Sequence, residues 1–119
     1  MVEGKLRRAE TLAMVGVGGF AGSNLRYLVG TVTPSLLGTL AANVAGSFVL
    51  GFLLYESIHL GAISKQGRFL MATGFISSFT TYSTFALETF SNPSLALLNV
   101  AANYVLGFAA VYVGRWVAL

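Results

Sequence analysis

The sequence predicts an all-α membrane protein that crosses the bilayer as four helices. Of its 119 residues, 55% are hydrophobic and 9% are charged, and the mean hydropathy is +0.77, whereas soluble domains carry charge on about a quarter of their residues. A helix needs about 20 mostly apolar residues to cross a bilayer. Four segments qualify: Leu12–Val29, Leu36–Tyr55, Phe69–Phe90 and Leu95–Val113. Because the links between them are short, we expect a single domain over residues 1–119.

The composition also excludes several classes of function. The chain contains no cysteine, which rules out disulfides, thiol catalysis and thiolate metal sites. Its net charge is +3, but the basic residues flank the apolar segments, so they predict membrane orientation and lipid headgroup contacts and no nucleic-acid binding. The single histidine, His59, lies at a segment end and is interpreted as an interfacial residue. No constellation of nucleophile, acid and base or metal ligands predicts an enzyme.

The first apolar segment follows a charged stretch, residues 1–10, whose expected role is orientation. Gly18 and Gly22 have the GxxxG spacing that lets another helix backbone come close. Arg26 lies near the far end of this segment. A guanidinium there must extend to the membrane interface, pair with an acidic group or with backbone carbonyls, or face water, and in the last case it would draw anions into an aqueous vestibule.

The second segment carries a polar face. Thr39, Asn43 and Ser47 recur every four residues, so they lie on one side of the helix. An amide buried without partners costs several kcal/mol. Asn43 is therefore expected either to hydrogen-bond to another helix or to present its N–H groups to a pore.

The third segment contains an uncharged run, residues 74–85, with six serines or threonines and four aromatic residues in twelve positions. Hydroxyl groups and aromatic ring edges can both meet a small anion, so the run predicts the lining of a pathway. Close helix packing is the alternative explanation of the small hydroxyl residues. Hydroxyl side chains compete for backbone hydrogen bonds, so we expect a break in the helix, with freed carbonyls able to bind a small cation. Glu88 ends this segment near Arg26 and could pair with it.

The fourth segment has a second polar stripe. Asn92-Pro93 predicts a turn before it, and Asn99 and Asn103 are separated by four residues, with Tyr104 adjacent. A polar stripe in an apolar helix needs a partner inside the assembly. The segment ends at Arg115-Trp116, a typical interfacial anchor.

These motifs, taken together and in order, resemble the Fluc (CrcB) family of fluoride channels. The resemblance implies a four-helix protein with a broken third helix, assembled as an antiparallel, dual-topology dimer with two fluoride pathways. It implies passive fluoride export across the cell membrane, which protects the cell from fluoride. The residues that carry it are Gly18-Gly19-Phe20-Ala21-Gly22, Arg26-Tyr27, Gly38-Thr39-Leu40-Ala41-Ala42-Asn43-Val44-Ala45-Gly46-Ser47-Phe48, Gly74-Phe75 and Phe79-Thr80-Thr81-Tyr82-Ser83-Thr84-Phe85.

The resemblance also assigns roles to individual residues. Asn43 would be the pore-lining amide, and Tyr82 and Phe85 occupy the positions of two pore phenylalanines whose ring edges face the ion. Tyr82 departs from the family, which commonly has Phe there, and its added hydroxyl could change selectivity or add a ligand. The further positions that the resemblance implies for the fluoride pathway are Ser83, Thr84, Thr39 and Tyr104.

Two more sites follow from the same resemblance. Arg26 would lie at the vestibule, and the backbone carbonyls of Ser77 and Thr80 would hold a structural sodium ion at the centre of the dimer. The family commonly has Gly-Gly where Ser77-Ser78 stand, and glycine is better suited to a backbone break. Because the ligands of the sodium ion would be backbone carbonyls, serine in place of glycine does not remove them.

The distribution of basic residues along the chain bears on how two subunits would assemble. With four crossings, six basic residues fall on one side and only Arg26 on the other, a bias that predicts both termini inside. A dual-topology homodimer would prefer balance, so the resemblance favours a homodimer while the charges leave a heterodimer with an oppositely oriented paralogue as an alternative. The six are Lys5, Arg7, Arg8, Lys65, Arg68 and Arg115.

Two other functions fit a small four-helix membrane protein. A proton-coupled drug or cation antiporter needs a carboxylate within the membrane, whereas Glu3, Glu10, Glu56 and Glu88 lie at or beyond segment ends. A scaffold subunit would account for the small-residue faces. It would leave the polar face of the second segment unexplained.

Overall fold

The computed structural model describes residues 2–33 and 35–119, and the regular structure of these residues is helical. Five α-helical elements build it, and the third of them includes a π-helical stretch. A π-helical turn, Glu56–Leu60, extends the second helix, and a 3₁₀ turn, Pro93–Leu95, precedes the last. The elements are α1 (Val2–Val32), α2 (Ser35–Tyr55), α3 (residues 65–79), α4 (Ser83–Ser91) and α5 (Ala96–Val117).

Helix α1 begins ten residues before the predicted segment. The charged stretch at residues 2–10 continues the helix, because leucine, lysine, arginine and glutamate all favour helical backbone. Helix α2 agrees with the prediction and ends beyond its π-helical turn at Gly61, whose φ of 65° is left-handed. Such a glycine is a common helix terminator.

The third predicted segment is broken, as its hydroxyl content predicts. Helix α3 is π-helical over Phe69–Ile76 and ends at Phe79. Thr80 then adopts an extended conformation, with φ −80° and ψ 160°, and α4 begins at Ser83. The chain therefore crosses this part of the fold as two shorter helices with an extended connection between them.

Two helix pairs organise the fold: α1 packs along α3, and α2 packs along α5. The GxxxG spacing of α1 serves the first pair. A methyl group on Gly18 would overlap the carbonyl oxygen of Leu70, and one on Gly22 would overlap that of Phe75. The two backbones are therefore in direct contact, which confirms the close approach predicted from this spacing.

Large apolar side chains cover much of the surface. Phe20, Leu97 and Phe108 are 74%, 84% and 73% exposed, and a soluble protein rarely leaves such a continuous apolar surface uncovered. Within the described residues, two helical stretches are long and apolar enough to cross a membrane, Leu36–Leu60 and Pro93–Val117, with hydropathies of 1.8 and 1.7. Helix α1 contains several glycines and Arg26, and the third segment is divided, so neither qualifies by these criteria.

Candidate functional site

A groove of about 300 Å³ lies where the broken segment meets α2 and α5. It brings together the amide, hydroxyl and aromatic residues that the sequence places on three different helices. Its polar and aromatic lining consists of Asn43 and Ser47 from α2, Thr80, Thr81 and Tyr82 from the break, Phe85 from α4, and Asn103 and Tyr104 from α5.

Asn43 holds the broken backbone against α2. Its Nδ2 donates to the carbonyl oxygen of Thr81 at 2.9 Å, and its Oδ1 accepts from the Thr81 N–H at 2.8 Å. One side-chain amide thus satisfies both polar groups of a residue whose helical partners are lost at the break. Gly46, one turn further along α2, leaves room for the break, because a Cβ there would overlap Cγ2 of Thr80.

The break also redirects the donors that would cover two carbonyl groups. In an uninterrupted helix, the N–H groups of Thr81 and Thr84 would bond to the carbonyls of Ser77 and Thr80. The Thr81 N–H instead bonds to Asn43, and the Thr84 N–H donates to Oγ1 of Thr81 at 3.2 Å. The carbonyls of Ser77 and Thr80 thereby lose their helical donors, which fits the chemistry of a small cation that binds oxygen.

Aromatic rings form one wall of the groove. The buried Phe85 ring lies with its centroid 5.7 Å from that of Tyr82 and 6.3 Å from that of Tyr104, which it meets edge to face at 78°. Aromatic ring edges carry the positive part of the ring quadrupole. Tyr82 is 73% exposed and Tyr104 is 51% exposed, so the groove is open on the side that these tyrosines border.

A second cavity of about 350 Å³ lies next to the groove and contains both Arg26 and Glu88. Arg26 Nε donates to the carbonyl oxygen of Ser78 at 3.3 Å, and buried Glu88 accepts a hydrogen bond from Thr39 Oγ1. These partners replace the Arg26–Glu88 pair that the sequence suggested. Thr84 completes the polar lining of this cavity.

Thr81 lines both cavities and therefore forms the wall that they share. Sequence analysis did not single out Thr81, and it placed Glu88 at a segment end, where burial is not expected. Thr81 lies in the extended connection before α4, so no helical spacing could place it, whereas Phe85 and Glu88 are three residues apart and share one face of α4. This face turns toward α2.

The remaining predicted site residues lie in different surroundings. Ser83 is exposed and lies outside the lining of both cavities, with its Oγ 3.5 Å from Thr81 Oγ1. Ser77 is exposed, and its hydroxyl donates to the carbonyl of Thr73. The role of the Ser83 hydroxyl in the fluoride pathway and that of the Ser77 backbone carbonyl in binding sodium stay predictions.

Comparison with known proteins identifies the family. The profile described as "CrcB-like protein, Camphor Resistance (CrcB)" matches residues 13–115. The chain belongs to the CrcB family. The match includes all the motifs that suggested this relationship, so the resemblance inferred from the sequence is confirmed.

Relatives in the CrcB family carry a functional name. The chain is 58% identical over 106 residues to "Fluoride-specific ion channel FluC 1" of Haloarcula marismortui, covering 89% of this chain and 84% of the relative. It is 49% identical to the protein of the same name from Natronomonas pharaonis, covering 91% and 93%. It is 44% identical to "Fluoride-specific ion channel FluC" of Methanocaldococcus jannaschii, covering 91% and 94%.

Proposed function

We propose that this protein is a fluoride-selective channel that allows passive fluoride efflux across the cell membrane and so confers fluoride resistance. The names of its CrcB relatives support this function. The structural observation that carries it is the meeting of Asn43, Tyr82 and Phe85 in one groove at a helix break. Asn43 is remote in sequence from Tyr82 and Phe85, all three side chains are uncharged, and their polar hydrogens and ring edges suit an anion.

Fluoride is small and strongly hydrated, so a pore must replace its water with donors at close range. Asn43 Nδ2 carries a second hydrogen, which points to Asn103 Oδ1 across 3.4 Å, the longest bond that this amide makes. An arriving anion can share this hydrogen with Asn103 Oδ1 in a bifurcated bond, so that Asn43 keeps its contact with Asn103 and its two bonds to Thr81. The edge of Phe85 adds a second, moderate contact, and several moderate sites permit both entry and exit.

The second cavity is proposed as the vestibule. The Arg26 guanidinium raises the local concentration of anions, and the hydroxyl of Thr84 provides a hydrogen-bond donor between it and the groove, whereas the hydroxyl of Thr39 donates to Glu88. Glu88 faces the same cavity, and its bond to Thr39 holds the carboxylate at a fixed position. Thr81 connects the vestibule with the groove, since it lines both.

Assembly as an antiparallel dimer of four-crossing, multi-pass subunits is part of the proposal. Within a single chain the groove stays open on the side that the exposed residues Tyr82 and Tyr104 border. A second copy would complete it. The family resemblance favours a homodimer in which the two copies have opposite orientations. The one-sided distribution of basic residues leaves pairing with an oppositely oriented paralogue as the alternative.

A structural sodium ion at the dimer centre is also proposed. The carbonyls of Ser77 and Thr80 would hold it, because the break removes their helical donors. Two copies would supply four such oxygens. The ion would provide positive charge that keeps the two breaks together.

Sodium removal gives the first prediction. Replacing sodium by N-methylglucamine is expected to lower the melting temperature of the purified protein by several degrees, because a ligand that binds only the folded assembly stabilises it. Potassium at the same ionic strength serves as the control for a general salt effect. A melting temperature that is identical in all three buffers after exhaustive dialysis would exclude the sodium site.

The decisive test of the function compares two halides. Vesicles that contain the purified protein and are loaded with potassium fluoride should release fluoride within seconds of adding a potassium ionophore, as measured with a fluoride electrode. Chloride-loaded vesicles should release no more chloride than protein-free vesicles. Equal release of both halides, or none of either, would refute the proposed selectivity.

Two carboxylates among the described residues, Glu56 and Glu88, are buried, which favours an antiporter, since a carboxylate that cycles protons must lie within the protein. The same vesicles distinguish the two mechanisms. A channel releases fluoride without a pH gradient and takes up no protons in exchange for organic cations. Proton-coupled cation uptake would instead establish the antiporter.

A further inference from the structure

A row of polar side chains leads from α4 through α5 to the break. Thr89 Oγ1 donates to the carbonyl oxygen of Phe85 at 2.8 Å, and Asn99 Nδ2 donates to Thr89 Oγ1 at 2.8 Å. Asn103 Nδ2 in turn donates to Asn99 Oδ1 at 3.1 Å and to the Asn99 carbonyl at 2.8 Å. Thr89 and Asn99 lie outside the lining of the groove, and Asn99 is 8% exposed.

The row continues into the proposed ion pathway. Asn43 Nδ2 donates to Asn103 Oδ1 at 3.4 Å, and the Thr81 N–H donates to Asn43 Oδ1 at 2.8 Å. Four side chains, Thr89, Asn99, Asn103 and Asn43, thus connect a backbone carbonyl of α4 with a backbone N–H of the break.

The two ends of this row fix the direction of every bond in it. The carbonyl of Phe85 can only accept, so the Thr89 hydroxyl donates to it and accepts from Asn99. Asn99 must then turn its oxygen toward Asn103, and Asn103 must turn its oxygen toward Asn43. At the other end, the Thr81 N–H can only donate, which requires the oxygen of Asn43. Every hydrogen bond in the row therefore runs in the same direction, each group donating to the next one toward the Phe85 carbonyl.

We propose that Asn103, supported by Asn99 and Thr89, is a positioning residue that orients the Asn43 amide at the break. With Asn103 reversed, its Nδ2 would face Asn43 Nδ2, and the repulsion between these two donors would weaken the bonds that Asn43 makes to Thr81. The inference rests on the proposed function, because Asn43 is the amide proposed to bind fluoride and this row of side chains would set its orientation. The orientation itself can be measured without fluoride.

Hydrogen exchange at the Thr81 N–H, followed by NMR on the full-length protein in detergent, tests the orientation. Replacing Asn103 by leucine is expected to accelerate this exchange about fivefold, the effect of weakening one buried hydrogen bond. Thr89→Val, at the far end of the row, should act in the same direction. Thr89→Ser should restore the slow exchange, since serine keeps the hydroxyl. The Asn92 N–H, bonded to Glu88 O at 3.1 Å, is the internal reference.

Fluoride release from vesicles tests the consequence. Thr89→Val should slow it about fivefold, Asn103→Leu should slow it more, and Thr89→Ser should match the unmodified protein. Asn24→Leu is the matched control, because Asn24 is exposed and bonds only within α1, to Phe20 O at 2.7 Å.

The outcomes separate the two proposals. Unchanged Thr81 exchange in both Asn103→Leu and Thr89→Val overturns the inference, whatever the flux. Faster exchange together with unchanged flux overturns the role in conduction. Faster exchange in a protein that never releases fluoride supports the positioning role and refutes the proposed function instead.

Discussion

Replacing Asn43 by leucine is expected to abolish fluoride release from vesicles, a reduction of roughly 100-fold or more. The change removes both bonds to Thr81 and the donor that faces the groove. Hydrogen bonds that involve an ion contribute about 1.5–3 kcal/mol, and each 1.36 kcal/mol added to a barrier slows passage tenfold. The measurement is fluoride-electrode release per milligram of reconstituted protein.

Two further variants, Asn43→Asp and Asn24→Leu, are measured beside Asn43→Leu. Asn43→Asp keeps an oxygen for the Thr81 N–H but loses the N–H donors and adds negative charge, so it should also fail to conduct while retaining its assembly on size-exclusion chromatography. Asn24→Leu, an exposed asparagine on α1, should conduct normally. Normal flux through Asn43→Leu would remove Asn43 from the pathway and contradict the proposed site.

The sequence was sufficient to predict helices and polar faces. Apolar length predicted both ends of α2 and the start of α5 to within one residue, because nothing within those segments opposes helix formation, whereas α5 continues beyond the predicted end at Val113 to Val117. The density of hydroxyl residues predicted a break in the third segment. The start of α1 was placed too late because apolar content alone defined the segment, whereas helical backbone also extends through charged residues.

The hydrogen-bond partners of the site residues were harder to predict than the positions of these residues on their helices. The spacing of Thr39 and Asn43 predicted a shared face, but whether Asn43 meets another side chain or a backbone group depends on the path that the chain takes through the break. The same holds for Arg26 and Glu88, whose proximity was suggested correctly. Their actual partners, Ser78 O and Thr39, lie on elements whose relative rotation no single-segment pattern specifies.

Replacing Phe85 by leucine should also stop fluoride release, with an expected reduction of at least tenfold. Leucine remains apolar and fills much of the buried volume, but it has no ring edge to offer an anion. Phe85 is 7% exposed and contacts the rings of Tyr82 and Tyr104. Loss of the ring therefore also removes the support that sets the angle of both tyrosines. Release from vesicles and the chromatographic profile are measured together.

Tyr82→Phe separates the ring edge from the hydroxyl. It retains the ring edge and removes only the hydroxyl, so fluoride conduction should persist in Tyr82→Phe while it stops in Phe85→Leu. If the Tyr82 hydroxyl is itself a ligand, Tyr82→Phe would alter the preference for fluoride over chloride but not abolish release. Full conduction by Phe85→Leu would show that hydroxyl and amide donors suffice, and the aromatic wall would then be packing alone. The two variants thus determine whether ring edges take part in stripping water from the ion, which is the chemical step that an uncharged pore has to perform.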